Sequence, residues 1–165
     1  LEGMRLVFEN LPKAFANGKD LTARAHMMSA AAMGATAFQK GLGAIHSLSH
    51  PIGSLYHTHH GMTNAVFMPY VLDFNRAAIE ARIEPAARYL GIKGGFDGFR
   101  KAVIKLRKDL NVPHTLGGLV KGFDPDKKRK SLICDMAVVD PTAGGNPVKL
   151  TKKRALEKLE AAVAG

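Results

Sequence analysis

The chain has 165 residues, of which 46% are hydrophobic and 23% are charged, with a formal net charge of +10. This composition is typical of a folded globular protein, and the length favours one domain with a sizeable core over two small ones. The longest mildly apolar run, Met27 to Phe38, is shorter than the roughly 20 residues of a membrane-spanning helix, so no membrane partner is expected.

The first residues indicate that the chain is incomplete. Leu1-Glu2-Gly3-Met4 lacks an initiator methionine, carries no secretory signal and lies already inside an amphipathic pattern. We therefore expect a fragment whose upstream half is absent. The single cysteine, Cys134, excludes an internal disulfide framework and favours a reducing, cytoplasmic location.

Helical periodicity runs along the chain, whereas strand patterns of useful length are absent. Met4, Phe8 and Leu11 mark one apolar face of a first helix, which Pro12 is expected to kink or restart.

The next predicted helix is the most apolar element of the chain. Asp20 is its expected N-cap, and the helix is predicted from Leu21 to about His50, with Gly34, Gly41 and Gly43 as places to bend or break. Because it is apolar nearly all round, it is expected to be central and buried, and Pro51 is expected to end it.

The second half of the chain predicts further amphipathic helices separated by loops. They are Met62–Leu72, Arg76–Leu90, Phe96–Leu110, a helix introduced by Asp124-Pro125 and a last helix capped by Thr151. The Gly- and Pro-rich segment from Asp140 to Pro147 is predicted to be a loop. The resulting expectation is an all-α fold in which residues 1–165 form a single helical domain.

Five of the seven histidines lie between His46 and His60. His46 and His50 are four residues apart and therefore share a helix face. A turn after Pro51 can bring His60, at the start of the next helix, back towards His46. Because a helix N-terminus disfavours a cation, a neutral, metal-coordinating imidazole suits the position of His60.

The other histidines have simpler interpretations, and a single histidine in an apolar helix is commonly just a hydrogen-bonded core residue. His57 and His59 are expected to be bystanders in a loop, and His26 and His114 to be structural or exposed. No aspartate or glutamate lies between Asp20 and Asp73, so a ligand set drawn from this segment would consist of imidazoles alone.

A longer motif resembles the iron-containing (group III) alcohol dehydrogenases. The family pattern is roughly Gly-x-x-His-x-x-x-His-Pro-x-Gly, followed after a short gap by His-Gly and Asn-Ala. This chain has Gly43-Ala-Ile-His46-Ser-Leu-Ser-His50-Pro51-Ile-Gly53, then His60-Gly61 and Asn64-Ala65. The similarity runs through most of the chain, including the loop Gly145-Asn146-Pro147 and the final helix.

The resemblance implies the C-terminal helical, metal-binding domain of an NAD- or NADP-linked alcohol dehydrogenase. His46 and His60 match metal ligands, with iron as the family's usual ion and zinc or another divalent ion as alternatives. His50 matches a histidine near the nicotinamide and the substrate, which either supports the site without ligating the metal or has a catalytic, proton-relay role. The implied partners are a small alcohol or carbonyl substrate, an upstream nucleotide-binding domain of the same protein and further copies in a homo-oligomer.

The chain departs from the family pattern in three respects. His59 stands where the family often has proline, and the family's other two ligands, an aspartate and a histidine on an earlier helix, have no matching motif. No glycine-rich nucleotide loop follows a strand either. These departures agree with a fragment that has no turnover of its own.

Two other functions are compatible with parts of the sequence. One is a stand-alone helical metal-binding or regulatory module without catalysis, which does not account for the detailed motif. The other is nucleic-acid binding through the basic runs 127–130 and 152–154. These runs lie on separate helices without interleaved aromatic residues, so no nucleic-acid partner is expected.

Overall fold

The computed structural model describes all residues from 1 to 165, and it contains helices and loops but no strand. The eight α-helices are α1 (Glu2–Ala16), α2 (Leu21–Ala37), α3 (Ala44–Tyr56), α4 (His60–Tyr89), α5 (Gly95–Asp109), α6 (Leu116–Leu119), α7 (Lys127–Val139) and α8 (Lys152–Ala164). Two short 3₁₀ turns occupy Phe38–Lys40 and Pro141–Gly145. The predicted all-α fold class is confirmed.

The helices are grouped in two compact units, a division that the sequence did not predict. The first unit comprises residues 1–41 and 80–111, and the second comprises residues 42–79 and 112–165. Helix α4 contributes residues to both units, since its first twenty residues belong to the second and its last ten to the first.

None of the helices combines the length and the hydropathy that a membrane-spanning segment requires.

In the first unit, α1 packs on α2 and also contacts α5. Helix α1 continues without interruption through Pro12, and its buried residues are Leu6 and Asn10. Met4, which the periodicity placed on the buried face, is 43% exposed. The close approach of α1 to α2 depends on Gly3, where an added Cβ would lie 3.3 Å from Met33 Cβ.

The predicted helix from Leu21 to about His50 is divided into two helices. Asp20 caps α2 as predicted, because its side chain accepts a hydrogen bond from Ala23 N at 2.9 Å. The break comes at the glycines: Gly41 has a φ of +97°, which L-residues rarely adopt, and Gly43 precedes the first residue of α3.

The prediction that Pro51 ends the helix is wrong, because α3 continues to Tyr56. A proline inside a helix costs about 3 kcal/mol through a lost hydrogen bond and a clash. Leu48 and Ile52, on either side of it, are completely buried, and each contributes about 1.5–3 kcal/mol on burial. The free energy gained by burying Leu48 and Ile52 therefore outweighs the cost of a proline inside the helix.

The expectation that α2 is central and buried is also wrong. Only Ala23 and Ala30 are buried in this helix, whereas Leu21 and Met28 are more than 75% exposed. The physical reason is that α2 packs mainly on α1 and on the 3₁₀ turn that follows it, so its other faces have no neighbour in this chain.

The second unit has the larger core. Helix α3 packs on α7, α7 packs on α8, and the short α6 also contacts α8. The completely buried large side chains of this core are Leu48, Ile52, Phe67, Leu116, Ile133 and Leu159. Helix α3, which bears His46 and His50, lies on one side of this core.

The remaining predicted elements are close to those observed. The predicted helices Met62–Leu72 and Arg76–Leu90 form one continuous helix, α4. Helix α7 begins two residues later than predicted, with Asp126 rather than Asp124 as its cap, while Thr151 caps α8 as predicted. The prediction for α5 agrees to within one residue at each end.

Cys134 should be unreactive in the folded chain. The residue is completely buried in α7, and burial raises the pKa of its thiol to about 11, so only about one thiol in a thousand is ionised at pH 8. We expect iodoacetamide to label it at least 100-fold more slowly than the same chain in 8 M urea. Comparable rates in both conditions would contradict the burial of this side chain.

Candidate functional site

Three of the seven histidines come together in the second unit. The ring centroids of His46 and His60 are 5.2 Å apart, those of His50 and His60 are 5.4 Å apart, and those of His46 and His50 are 5.9 Å apart. The rings of His50 and His60 are nearly parallel. The predicted proximity of these three side chains is therefore observed.

Helix α3 brings two of the three histidines to this place. His46 and His50 lie one turn apart on the same side of the helix, as the spacing predicts. The residues between them, Ser47, Leu48 and Ser49, are buried. The helix is therefore anchored in the core while the two imidazoles project at its edge.

A tight connection returns the chain to this edge for the third histidine. His57 ends α3 in the left-handed conformation, with a φ of +53°, and α4 begins three residues later at His60. The buried Thr63 stabilises this connection, since its Oγ1 lies 2.7 Å from Thr58 Oγ1 and 3.1 Å from the His59 carbonyl oxygen. The turn thus fixes His60 beside α3.

Asn64 connects two of the imidazoles. Its Nδ2 lies 3.0 Å from His60 Nε2 and 3.3 Å from His46 Nε2. An amide nitrogen has two hydrogens, so it can donate to both ring nitrogens when each presents a lone pair. Asn64 Oδ1 is buried without a hydrogen-bond partner. The Nε2 atoms of His46 and His60 therefore converge on one amide nitrogen.

The surroundings of His46 favour its neutral form. Partial burial lowers the pKa of this imidazole, and the neighbouring His60 and His50 lower it further, while Asp140 acts in the opposite sense. A neutral imidazole is the form that coordinates metal ions.

His50 has a carboxylate partner that lies far away in the sequence. His50 Nδ1 and Asp140 Oδ2 are 2.8 Å apart, across 90 residues of chain. The His50 side chain is 40% exposed, whereas that of Asp140 is only 13% exposed. The carboxylate therefore lies beneath the imidazole, which itself reaches the solvent.

Asp140 is held in place by the turn that it begins. Its Oδ1 accepts hydrogen bonds from Thr142 N at 2.8 Å and from Thr142 Oγ1 at 2.6 Å. Burial acts to raise the pKa of this carboxyl, but the hydrogen bonds from Thr142 and His50 outweigh it and the pKa is lowered. The charged carboxylate is thus the form that this environment favours.

The half-buried side-chain amide of Asn146 fixes this turn relative to α3 and α4. Asn146 Oδ1 accepts from Ala44 N at 3.0 Å and from Asn75 Nδ2 at 2.9 Å. Asn146 Nδ2 donates to Asn75 Oδ1 and to the Val148 carbonyl oxygen, both at 2.7 Å. One side chain therefore joins the first residue of α3, the middle of α4 and the loop before α8.

Two glycines allow the backbone to approach this amide. A Cβ at Gly43 would lie 2.9 Å from Asn146 Oδ1, and a Cβ at Gly145 would lie 2.0 Å from the Leu42 carbonyl oxygen. Side chains at these positions would push the Asp140–Asn146 turn away from the start of α3. The glycines are therefore required by close packing.

The imidazole nitrogens of His46 and His60 are suitable ligands for a divalent metal ion. Both Nε2 atoms lie within 3.3 Å of the Asn64 amide nitrogen, and neutral imidazole nitrogens are common ligands of divalent ions. No group of three or more His, Cys, Asp or Glu side chains in this chain is arranged to hold a metal ion. The pair can thus form only part of a ligand set.

The other histidines lie apart from this arrangement. His57 and His59 are exposed in the connection between α3 and α4, and His26 is exposed on α2. The His114 carbonyl oxygen accepts a hydrogen bond from Tyr70. Their predicted roles as bystanders or structural residues stay predictions.

Sequence reasoning missed Asp140 as a neighbour of the histidines. It placed the residue in a loop and counted carboxylates only near the histidines in the sequence. Asn64 and Asn146 belonged to the motif without an assigned contact. The sequence did contain a signal in Asp140-Pro141. Aspartate before proline commonly caps a short helical turn, and a capping side chain is held in a defined orientation.

Comparison with known proteins gives a match over nearly the whole chain. The sequence profile of the Fe-containing alcohol dehydrogenase family, C-terminal, matches residues 1–163.

Individual relatives are longer than this chain. The NAD-dependent methanol dehydrogenase of Bacillus methanolicus is 45% identical over 92 residues, which cover 55% of this chain and 24% of that protein. The NADPH-dependent butanol dehydrogenase of Clostridium saccharobutylicum is 29% identical over 158 residues, which cover 92% of this chain and 40% of that protein. In both cases the match spans less than half of the relative's length.

The fold is also that of a solved structure. The crystal structure of a 1,3-propanediol oxidoreductase superposes with a TM-score of 0.89 and 28% identity, over 98% of this chain and 43% of that chain. The expected likeness to the helical C-terminal part of such proteins is confirmed.

Replacing Asn146 should weaken the second unit strongly. Asn146→Ala removes four hydrogen bonds and leaves the Asn75 amide and Ala44 N without these partners, so the free energy of unfolding should fall by about 2–4 kcal/mol. Urea unfolding followed by circular dichroism measures this change. Asn17→Ala, at an exposed position of the first unit, is the control and should cost less than about 1 kcal/mol. Equal effects of the two substitutions would contradict the role of Asn146.

Proposed function

We propose that this chain, which belongs to the Fe-containing alcohol dehydrogenase family, is the C-terminal helical part of a metal-dependent, NAD(P)-linked alcohol dehydrogenase. The reaction is the interconversion of an alcohol with an aldehyde or ketone by hydride transfer to or from a nicotinamide. The observation that carries the proposal is the convergence of His46 Nε2 and His60 Nε2, in a chain that matches the family over residues 1–163.

His46 and His60 are the residues that would hold a divalent ion, with iron as the first choice and zinc as the alternative. When bound, the ion supplies Lewis-acid polarisation of an alcohol or carbonyl oxygen. The lowered pKa of His46 keeps this imidazole available at pH 7, because protons compete with a metal for the same lone pair. Asn64 Nδ2 lies between these two Nε2 atoms, so it would have to give way when an ion takes their lone pairs.

We assign the proton-transfer role to His50, beside the substrate and the nicotinamide. Its ring lies within 6 Å of both proposed ligands, and its side chain is 40% exposed. It can therefore exchange a proton with a substrate held next to these residues and pass it to the solvent.

The substrate and the nicotinamide are proposed as classes. The relatives include enzymes named for methanol and for butanol, one described as NAD-dependent and the other as NADPH-dependent. We propose a small-molecule alcohol or carbonyl compound as the substrate and NAD or NADP as the hydride carrier.

We further propose that an upstream nucleotide-binding domain completes this enzyme. The chain supplies two converging imidazoles but no third ligand group, and it spans less than half of its relatives' length. The exposed apolar stripe of α2, formed by Leu21, Ala25, Met28, Ala32 and Ala35, carries no charge and is the face on which we place the upstream part.

We also propose that the complete enzyme works as a homo-oligomer in the cytoplasm.

The chain alone should bind metal weakly. Two imidazoles are half of a four-ligand set and compete with protons below neutral pH, so we expect less than one equivalent of metal after dialysis against Fe²⁺ or Zn²⁺. Bound metal is measured by mass spectrometry. One tightly held equivalent per chain would show a complete site, and the proposal of missing upstream ligands would have to be abandoned.

In the longer protein, His46→Ala or His60→Ala should abolish both metal binding and NAD(P)-linked alcohol oxidation, because each removes one proposed ligand. Metal content and the absorbance of reduced nicotinamide measure the two effects. His57→Asn is the control: its side chain is exposed, and asparagine tolerates the left-handed backbone there. Retention of stoichiometric metal in either alanine variant would refute the ligand assignment.

A further inference from the structure

We propose that Asp140 is the positioning residue of His50, and that it fixes the tautomer in which Nδ1 carries the hydrogen and Nε2 presents its lone pair. This inference rests on the proposed function for its kinetic consequence, while its structural content stands on the geometry of the chain alone. None of the sequence motifs identifies this carboxylate as part of the site.

The two oxygens of Asp140 have separate partners. Oδ1 accepts from both Thr142 N and Thr142 Oγ1, and Oδ2 faces His50 Nδ1 at 2.8 Å. A backbone N–H can only donate, so the oxygen facing Thr142 must remain an acceptor. Because both oxygens are engaged, the carboxylate is held in one orientation between the turn and the imidazole.

This arrangement determines which nitrogen of His50 carries the hydrogen. An ionised carboxylate only accepts hydrogen bonds, so the ring nitrogen that faces it must be the N–H. The hydrogen bond made by one imidazole nitrogen sets the tautomer, and hence the role of the other nitrogen. Nε2 of His50 is therefore a hydrogen-bond acceptor and a proton acceptor in the neutral ring.

In the proposed alcohol oxidation, each bond that breaks has an acceptor for its proton or its electron pair. The alcohol O–H bond would break as its proton passes to His50 Nε2, and a bound oxidised nicotinamide would be the oxidant that accepts the hydride of the alcohol C–H bond. The electron pair left on oxygen forms the carbonyl π bond. The imidazolium keeps its Nδ1–H bond to Asp140, and the proton on Nε2 leaves to the solvent that the exposed His50 side chain contacts.

Asp140→Asn provides a sharp test, because it should invert the tautomer. The asparagine oxygen must take the position of Oδ1, since Thr142 N requires an acceptor there. The amide NH₂ then occupies the position of Oδ2 and donates to Nδ1, which forces the hydrogen of His50 onto Nε2. The substitution changes no side-chain size, and asparagine begins a helical turn as well as aspartate does.

The tautomer is measured on the Leu1–Gly165 chain with ¹⁵N-labelled histidine, by long-range ¹H–¹⁵N correlation at pH 8.5 with a chelator present. The His50 signals are assigned by their loss in His50→Gln. We expect Nδ1–H in the wild type and Nε2–H in Asp140→Asn. Asp135→Asn is the matched control, since it makes the same change at an exposed position on α7 and should leave His50 as Nδ1–H. A wild-type Nε2–H tautomer overturns the proposal, even if the variant fails to fold.

The kinetic arm uses the longer protein with its metal and a saturating nicotinamide. Asp140→Asn should lower kcat about 100-fold, because the proton acceptor is lost, while KM changes by less than about 3-fold. Undiminished kcat with an inverted tautomer overturns the proposal. A wild-type protein with metal but without any alcohol oxidation refutes the proposed function instead, and the tautomer measurement still decides the role of Asp140.

Discussion

The side-chain amide of Asn146 is the interaction on which the rest of the second unit depends. It makes four hydrogen bonds to groups that are distant in the sequence, and its oxygen accepts from the first backbone N–H of α3. Without this acceptor, an N–H group at the start of α3 would lack a partner. The same amide fixes Asn75 on α4, so the helices that carry the three histidines are held relative to each other and to the Asp140 turn.

The site that results contains three imidazoles in different electrostatic surroundings. Burial lowers the pKa of His46, which favours its neutral form, and Asn64 Nδ2 lies against both His46 and His60. His50 instead has a carboxylate beneath it and solvent above it. Imidazoles whose ring centroids lie 5–6 Å apart are chemically alike, and what distinguishes them here is the other partner of each ring: an amide for His46 and His60, and a carboxylate for His50.

The first unit illustrates how apolarity and burial differ. Helix α2 has almost no charged residue, which is typical of a buried helix, yet its apolar stripe is exposed in this chain. A helix buries only as many faces as it has neighbours, and α2 has α1 along one side. The apolar pattern therefore describes what the helix can be packed against, not what it is packed against in this chain.

The sequence by itself determined the fold class, the caps at Asp20 and Thr151 and the shared helix face of His46 and His50, because helix periodicity, capping and i,i+4 spacing are local properties. The approach of His60 to them was permitted by the spacing and implied by the family resemblance. Sequence reasoning misjudged Pro51 and α2, since the burial of Leu48 and Ile52 and the number of neighbours of α2 depend on distant parts of the chain. Only the tertiary structure placed Asp140 against His50, across 90 residues. Sequence separation carries no information on such a contact, because it is created by the packing of α3 on the turn that Asn146 anchors.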